Sequence, residues 1–260
     1  MTKPLLITLL PSADVDLGRW LLSHYRVAYT ERPHAPVFHV LALKSWGVGK
    51  DDYPLFVREG EKFAGVEQML PMLDSAAAEA LKLVPDAQAE ADLHARVDEL
   101  QHYARWEMGG DVVNWSYWNL LKYKSVVWPS ITTDVPWYEK LTCFVAFPVI
   151  RSLMYKGLKL DQGVADDALK NIYAGWDKFD DILRDGRRYL AGDRLTFADL
   201  ALATSGGPMI LAQGYHGMLP NHALCPDFMQ KVYSELRQRP TGLFIQRIYD
   251  EHRAAQLMCV

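Results

Sequence analysis

The stretch Tyr189-Leu-Ala-Gly-Asp-Arg-Leu-Thr-Phe-Ala-Asp-Leu-Ala-Leu-Ala203 decides the fold of this chain. Gly192-Asp193 reads as a tight turn that feeds a helix. Thr196 stands at the N-cap, where its hydroxyl can accept from the Asp199 N–H while the Asp199 carboxylate reaches back to the Thr196 N–H. That is a capping box with Asp in the usual place of Glu. Leu195 before the cap and Leu200 after it take the N′ and N4 positions of a hydrophobic staple. By itself this start specifies a well-begun helix and no chemistry.

Outward from that helix, the 260 residues are enough for one large domain or two small ones, and 50% of them are hydrophobic. A formal charge of −4 with scattered Lys and Arg offers no basic block for nucleic acid and no acidic tail. Cys143, Cys225 and Cys259 are far apart and lack CxxC or Cys/His spacing, which predicts reduced thiols, no metal site and a cytoplasmic setting. The apolar run after Lys3 is short and meets Asp14, Asp16 and Arg19 without a cleavage pattern, so it reads as a buried strand. Leu141–Ile150 is too short to span a bilayer, and no membrane partner is expected.

The N-terminal third alternates. Leu5–Leu10 is a strand covered on both faces; Leu17, Trp20, Leu21 and His24 follow at helical spacing. Val27–Glu31 reads as a second strand, parallel to the first, and Val37–Lys44 as a short helix. After Tyr53-Pro54, Leu55–Val57 and Lys62-Phe63 form a hairpin with Gly60 supplying a positive φ, and Gly65–Leu73 closes as a helix. Ser75–Pro85 is a linker, and from Asp86 to Arg253 the pattern is helix after helix.

Gly192–Asp199 resembles the G-x-x-(L/F)-(S/T)-x-A-D signature in the C-terminal helical domain of the glutathione S-transferase superfamily. The β-α-β-α-β-β-α order before it is thioredoxin-like, as that superfamily requires. The resemblance to a divergent, serine-containing bacterial-type member implies a fold of α/β plus all-α class. Its parts are a thioredoxin-like domain over 1–74, a linker at 75–85 and an all-α domain over 86–260. Arg19 and Tyr29 keep the ten-residue separation often seen between the first helix and second strand of members. Seven residues before that Arg, where catalytic Cys or Ser occurs in several classes, stands Ser12.

The resemblance implies a mechanism. Members activate the glutathione thiol with a hydrogen bond to its thiolate, and Ser12 at the start of the first helix has the hydroxyl and the helix dipole to do so. Ser is equally an ordinary N-cap residue. Asp14 and Asp16 would oppose a thiolate if they faced it. Tyr53-Pro54 falls where a cis-proline presents backbone groups to glutathione as to an added strand. Where members carry a carboxylate and hydroxyl to hold the γ-glutamyl head, this chain has Gly65-Val66, with Glu67 late in the register. His39, Lys44 and Lys50 are candidates for the glycyl carboxylate. Trp106, Trp115, Tyr117 and Trp118 offer flat apolar faces for an aromatic or otherwise hydrophobic electrophile, or else for interface packing. Gly109-Gly110 interrupts that helix and predicts a bend opening a cleft.

The function implied is that of a glutathione transferase-like enzyme using glutathione as co-substrate, with lyase or isomerase variants sharing the same thiolate. The alternative is a glutathione-independent ligand-binding or assembly protein that retains the fold. A homodimer is the family expectation.

Overall fold

β1 (Leu5–Leu9) is apolar except for Thr8, and it takes an interior place in a four-stranded sheet of order β2-β1-β3-β4. The computed structural model describes residues 3–253 and Met258; Cys259 lies outside the described residues. β2 (Thr30–His34) runs parallel to β1 after the crossover helix α1 (Ala13–His24). β3 (Leu55–Arg58) runs antiparallel to β1 and β4 (Glu61–Ala64) antiparallel to β3. The turn between them, Glu59-Gly60, has φ of 55° and 89°, the two positive values of a type I′ hairpin. α2 (Phe38–Ser45) and α3 (Gly65–Ser75) complete the thioredoxin-like part.

The second strand starts at Thr30, three residues later than the sequence pattern predicts. The end of α1 consumes the difference. Arg26 adopts a left-handed φ of 55°, and the Val27 N–H turns back to the Leu22 carbonyl at 2.8 Å. Pro33 inside β2 is tolerated because β2 is an edge strand.

The remainder is helical. α4 (Ala91–His102), a π-helical turn (Tyr103–Met108) and α5 (Gly109–Leu120) follow one another without a break. α6 (Lys124–Thr132), α7 (Trp137–Val145) and α8 (Phe147–Gly157) are short; α9 (Gln162–Leu183) is long. α10 (Phe197–Ile210) is followed by α11 (Asp227–Gln238) and α12 (Pro240–His252). α10 is buried almost throughout, as a helix apolar on every side must be. Gly109 marks a close approach: a Cβ there would lie 3.2 Å from Ser205 Oγ of α10. The irregularity expected at the glycine pair sits just before it, in the π turn.

The capping box forms at the head of α10. Asp199, fully buried, accepts from the Thr196 N–H and hydroxyl and from the Leu190 N–H, each at 2.8 Å. Its carboxylate therefore ties the Tyr189–Gly192 turn to the helix start. Leu195 and Leu200 join one core that also takes Leu6, Trp20 and Phe56 from the sheet side. A second cluster, with Leu10, Ala35, Cys143 and Ile150, lies beneath α7 and α8.

Candidate functional site

Pro11 stops the chain leaving β1, and Ser12 follows in extended conformation as the residue before α1. The Ser12 carbonyl accepts from the Asp16 N–H at 3.1 Å, but the Ser12 hydroxyl makes no cap bond. That hydroxyl is thus left for something else. Ser12 lines a cavity of about 340 Å³ whose walls include Leu9, Tyr53, His39, Lys50 and Tyr117. Residues separated by a hundred positions meet there because α1, the segment before β3, and α5 converge on one end of β1.

The two carboxylates of the first turn of α1 are occupied elsewhere. Asp16 is fully buried and accepts from Arg253 Nη2 at 2.6 Å, the Tyr249 hydroxyl at 2.7 Å and the His216 N–H at 3.0 Å. Asp14 binds Arg105 at 3.0 Å. Burial raises the Asp14 carboxyl, and the Arg105 charge opposes that rise. Neither carboxylate is aimed at the Ser12 hydroxyl.

The Tyr53–Pro54 bond is cis. The β3 ladder begins at Leu55, so the Tyr53 backbone stands outside the sheet at the cavity wall. The Pro54 carbonyl is taken by the Gly65 N–H at 3.0 Å. Burial, and then the charges of Asp14 and Asp51, hold the Tyr53 hydroxyl protonated above its ordinary range. His39 packs edge-on against Tyr53 at 5.6 Å, and its Nδ1 is buried without a partner. Burial pushes the imidazole down to about 4, so His39 is neutral at physiological pH. Lys50 is mostly exposed beside Asp51 at the rim. Lys44 is exposed and stands outside the cavity lining.

At the head of α3 the structure gives Gly65 a φ of 73° and turns Val66 into the core. Val66 lines the groove between α3 and α4, and neither residue lines the Ser12 cavity. Glu67 folds back over the glycine: a Cβ on Gly65 would lie 2.8 Å from its Oε2. Its other oxygen binds Arg105 Nη2 at 2.6 Å. Arg105, 4% exposed, therefore joins Glu67 of α3 to Asp14 of α1. Nothing local in the sequence announces this residue, because its partners lie 38 and 91 positions away.

Of the four aromatics, Tyr117 lines the cavity and donates to the Pro11 carbonyl at 2.9 Å. Trp115 is buried edge-on against Tyr233 in the helical core. Trp118 donates to Gln162 Oε1 at 3.1 Å with Lys122 over its ring. Trp106 is 54% exposed under the Arg105 guanidinium. Trp106 stands within the π turn itself, which shifts its phase relative to the residues of α5 and leaves it on the outer surface. The apolar wall is completed instead by Val113 of α5 and by Leu153, Met154 and Leu158 in and after α8.

α7 braces the same cavity. Glu139, 2% exposed, accepts from His34 at 2.7 Å and from the Ala35 N–H at 2.9 Å. It thereby fixes the connection from β2 to α2, which carries the wall residue Val37 and leads into His39 in the first turn of α2. Cys143 and Cys225 are buried free thiols; burial pushes Cys143 up to about 11, far from a thiolate. Among the described residues no group of three or more His, Cys, Asp or Glu could hold a metal ion.

Residues 162–241 match the family described as Glutathione S-transferase, C-terminal domain. No curated protein sequence matches the chain. Among solved structures the chain is similar to a possible glutathione S-transferase from Rhodopseudomonas palustris, with a TM-score of 0.58, 14% identity and 100% of each chain covered. It is similar to a glutathione S-transferase from Methylobacillus flagellatus with GSH bound, with a TM-score of 0.51, 14% identity and 93% and 98% of the two chains covered. It is also similar to the GST-like domain of elongation factor 1-gamma from Saccharomyces cerevisiae, with a TM-score of 0.52, 15% identity and 98% and 97% covered. At such identities the likeness is one of fold.

Proposed function

We propose that this chain, which has the glutathione S-transferase fold and that superfamily's C-terminal domain, is a glutathione-dependent enzyme in which Ser12 activates the thiol. The observation that carries the reading is that Ser12, whose hydroxyl makes no cap bond, lines one cavity with Tyr53 of the cis Tyr53–Pro54 bond and the apolar wall around Tyr117.

Glutathione would lie extended along the Tyr53 backbone, with its thiol toward Ser12 and its glycyl end toward His39 and Lys50. The thiol loses its proton to water, and the Ser12 O–H donates to the sulfur anion that remains. The amide end of α1 adds its positive potential. Lowering the thiol pKa by about two units corresponds to ~3 kcal/mol of preference for the thiolate. The thiolate then attacks a hydrophobic electrophile held against Tyr117, Val113 and Leu153; with an activated aryl halide the C–S bond forms as the carbon–halogen bond breaks and halide leaves to solvent. The γ-glutamyl head would meet the Asp14–Arg105–Glu67 cluster. There, two carboxylates around one guanidinium suit an ammonium, and the head of α3 suits a carboxylate. Glu67 supplies, by folding back, the charge that Gly65 lacks. We include a two-fold dimer in this reading, which analytical ultracentrifugation tests.

A second reading rests on Gly65-Val66, which bring no side-chain donor to the head group. On it the chain retains the fold without glutathione, as a binding or assembly protein; a GST-like domain is part of yeast elongation factor 1-gamma. Calorimetric titration with glutathione separates the two. Saturable binding, with turnover of an activated aryl halide lost in Ser12→Ala, supports the enzyme. No binding at millimolar glutathione supports the second reading.

A further inference from the structure

α7 is amphipathic the wrong way round for a helix on the surface of a soluble protein. Its inward side is only Glu139 and Cys143. Its outward arc is apolar: Trp137 is 75% exposed, Leu141 55%, Phe144 61% and Val145 74%. α8 extends the face with Val149 and Leu153. Single exposed apolar side chains are ordinary, but a contiguous patch on two adjoining helices marks a docking surface.

The charges around the patch select what docks there. Between Lys122 and Lys159 the chain carries six Lys or Arg against two carboxylates, Asp134 and Glu139, while its overall charge is −4. Glu139 is buried on His34 and the Ala35 N–H, leaving Asp134 exposed. Lys140 sits one turn from Phe144, and Lys124 lies 4.2 Å over the Phe144 ring. Lys156 follows Leu153 by three residues on the outer side of α8. Cations beside exposed aromatic and aliphatic side chains complement an anionic phospholipid surface.

We propose that the outer face of the α7–α8 hairpin docks on an anionic membrane and holds the mouth of the Ser12 cavity against it. The helices lie in the interface, since neither α7 nor α8 approaches the ~20 residues a spanning helix needs. No helix among the described residues is long and apolar enough to cross a membrane. Leu153 belongs to both surfaces, exposed on α8 and lining the cavity, where the exposed Val37 and Leu158 join it. A lipophilic compound dissolved in the bilayer therefore reaches Ser12 along a continuous apolar path. Such docking would be peripheral, and it does not depend on glutathione.

Flotation of the full chain with vesicles tests it, using phosphatidylcholine alone and phosphatidylcholine with about a third phosphatidylglycerol. The expected result is at least tenfold stronger partition onto the anionic vesicles, weakening as salt is raised. Leu141→Glu with Val145→Glu, both at exposed positions, loses that partition about tenfold or more while melting behaviour is retained. Lys140→Gln and Lys156→Gln each weaken the anionic preference about fivefold. Quenching of tryptophan emission by brominated lipid falls in Trp137→Phe. Equal partition onto both vesicle types, or wild-type binding by Leu141→Glu/Val145→Glu, overturns the proposal. So does a concentration-dependent dimer that this double variant dissolves while the wild type ignores vesicles, which assigns the face to a second copy of the chain.

Discussion

Replacing Asp199 with alanine removes the acceptor for three donors at 2.8 Å: the Leu190 N–H, the Thr196 N–H and the Thr196 hydroxyl. Bonds to a charged acceptor are worth ~1.5–3 kcal/mol each, so about 6 kcal/mol of interaction disappears. Against this stands the cost of burying the carboxylate, which pushes it up to about 6. Deletion also relieves the cost of that burial, which exceeds what the three bonds return to the charged form, since the carboxyl stays raised in spite of them. What remains is the cost of leaving the Leu190 and Thr196 donors buried without an acceptor, at about 1–3 kcal/mol each and offset by the relieved burial, for a net loss of about 3 kcal/mol and a melting temperature lower by roughly 6–12 °C. The linkage has a definite sign. The folded-state pKa is raised, so the folded chain holds this proton more tightly than the unfolded one. Its contribution is fully present below about pH 4 and is lost as pH rises through 6. The deficit of Asp199→Ala therefore widens as pH falls from 7 toward 4. Urea unfolding of both proteins across that range is the assay, with steady-state turnover measured well below the melting point. Wild-type stability with abolished turnover would refute the reasoning, because it would move Asp199 from holding a helix to performing chemistry.

Arg105→Met leaves Asp14 and Glu67 facing each other without their cation. Both are partly exposed, so the loss of stability is about 1–3 kcal/mol, read from thermal melts. Calorimetry of the same variant should show weaker glutathione binding. Glu139→Gln keeps an acceptor for the Ala35 N–H but gives up the His34 contact, at a cost of about 1–2 kcal/mol. Because it frees the connection that carries Val37 and leads into His39, KM for glutathione should rise more than kcat falls. His39 is held near 4 in the folded chain, so glutathione binding should show no step around pH 6.5 from this residue. The stability owed to neutral His39 is complete above about pH 6.5 and is lost as pH falls toward 4, a slope that His39→Gln removes.

What the sequence discloses follows the range of the interaction concerned. The Thr196–Asp199 cap and the Glu59-Gly60 hairpin are local, each fixed within a few residues, and both form where the sequence places them. The start of β2 is misread because a left-handed Arg26 takes up residues that alternation alone assigns to a strand. In the site, Ser12, His39, Lys50 and Tyr53 are legible because the order of strands and helices already orients the positions they occupy. Arg105 and Glu139 are not, since each acts on partners dozens of residues away. The aromatic cluster scatters for a geometric reason: residues 115, 117 and 118 step about 100° apiece around α5, and Trp106 lies on the preceding π turn, so of the four only Tyr117 lines the cavity. The apolar run from Leu141 to Ile150 is too short to span a bilayer, and that test is blind to a hairpin with its apolar side outward.

The proposed function turns on the Ser12 hydroxyl, which makes no cap bond to the helix it precedes and would stabilise a thiolate. The most direct measurement is the pKa of glutathione's thiol when bound, followed by ultraviolet thiolate absorbance as pH is varied, for the wild type and Ser12→Ala. In the wild type the bound thiol should titrate about two units below free glutathione, and in Ser12→Ala that depression should largely vanish while glutathione still binds. An equally depressed thiol in both proteins, or an undepressed one in the wild type, would contradict the account.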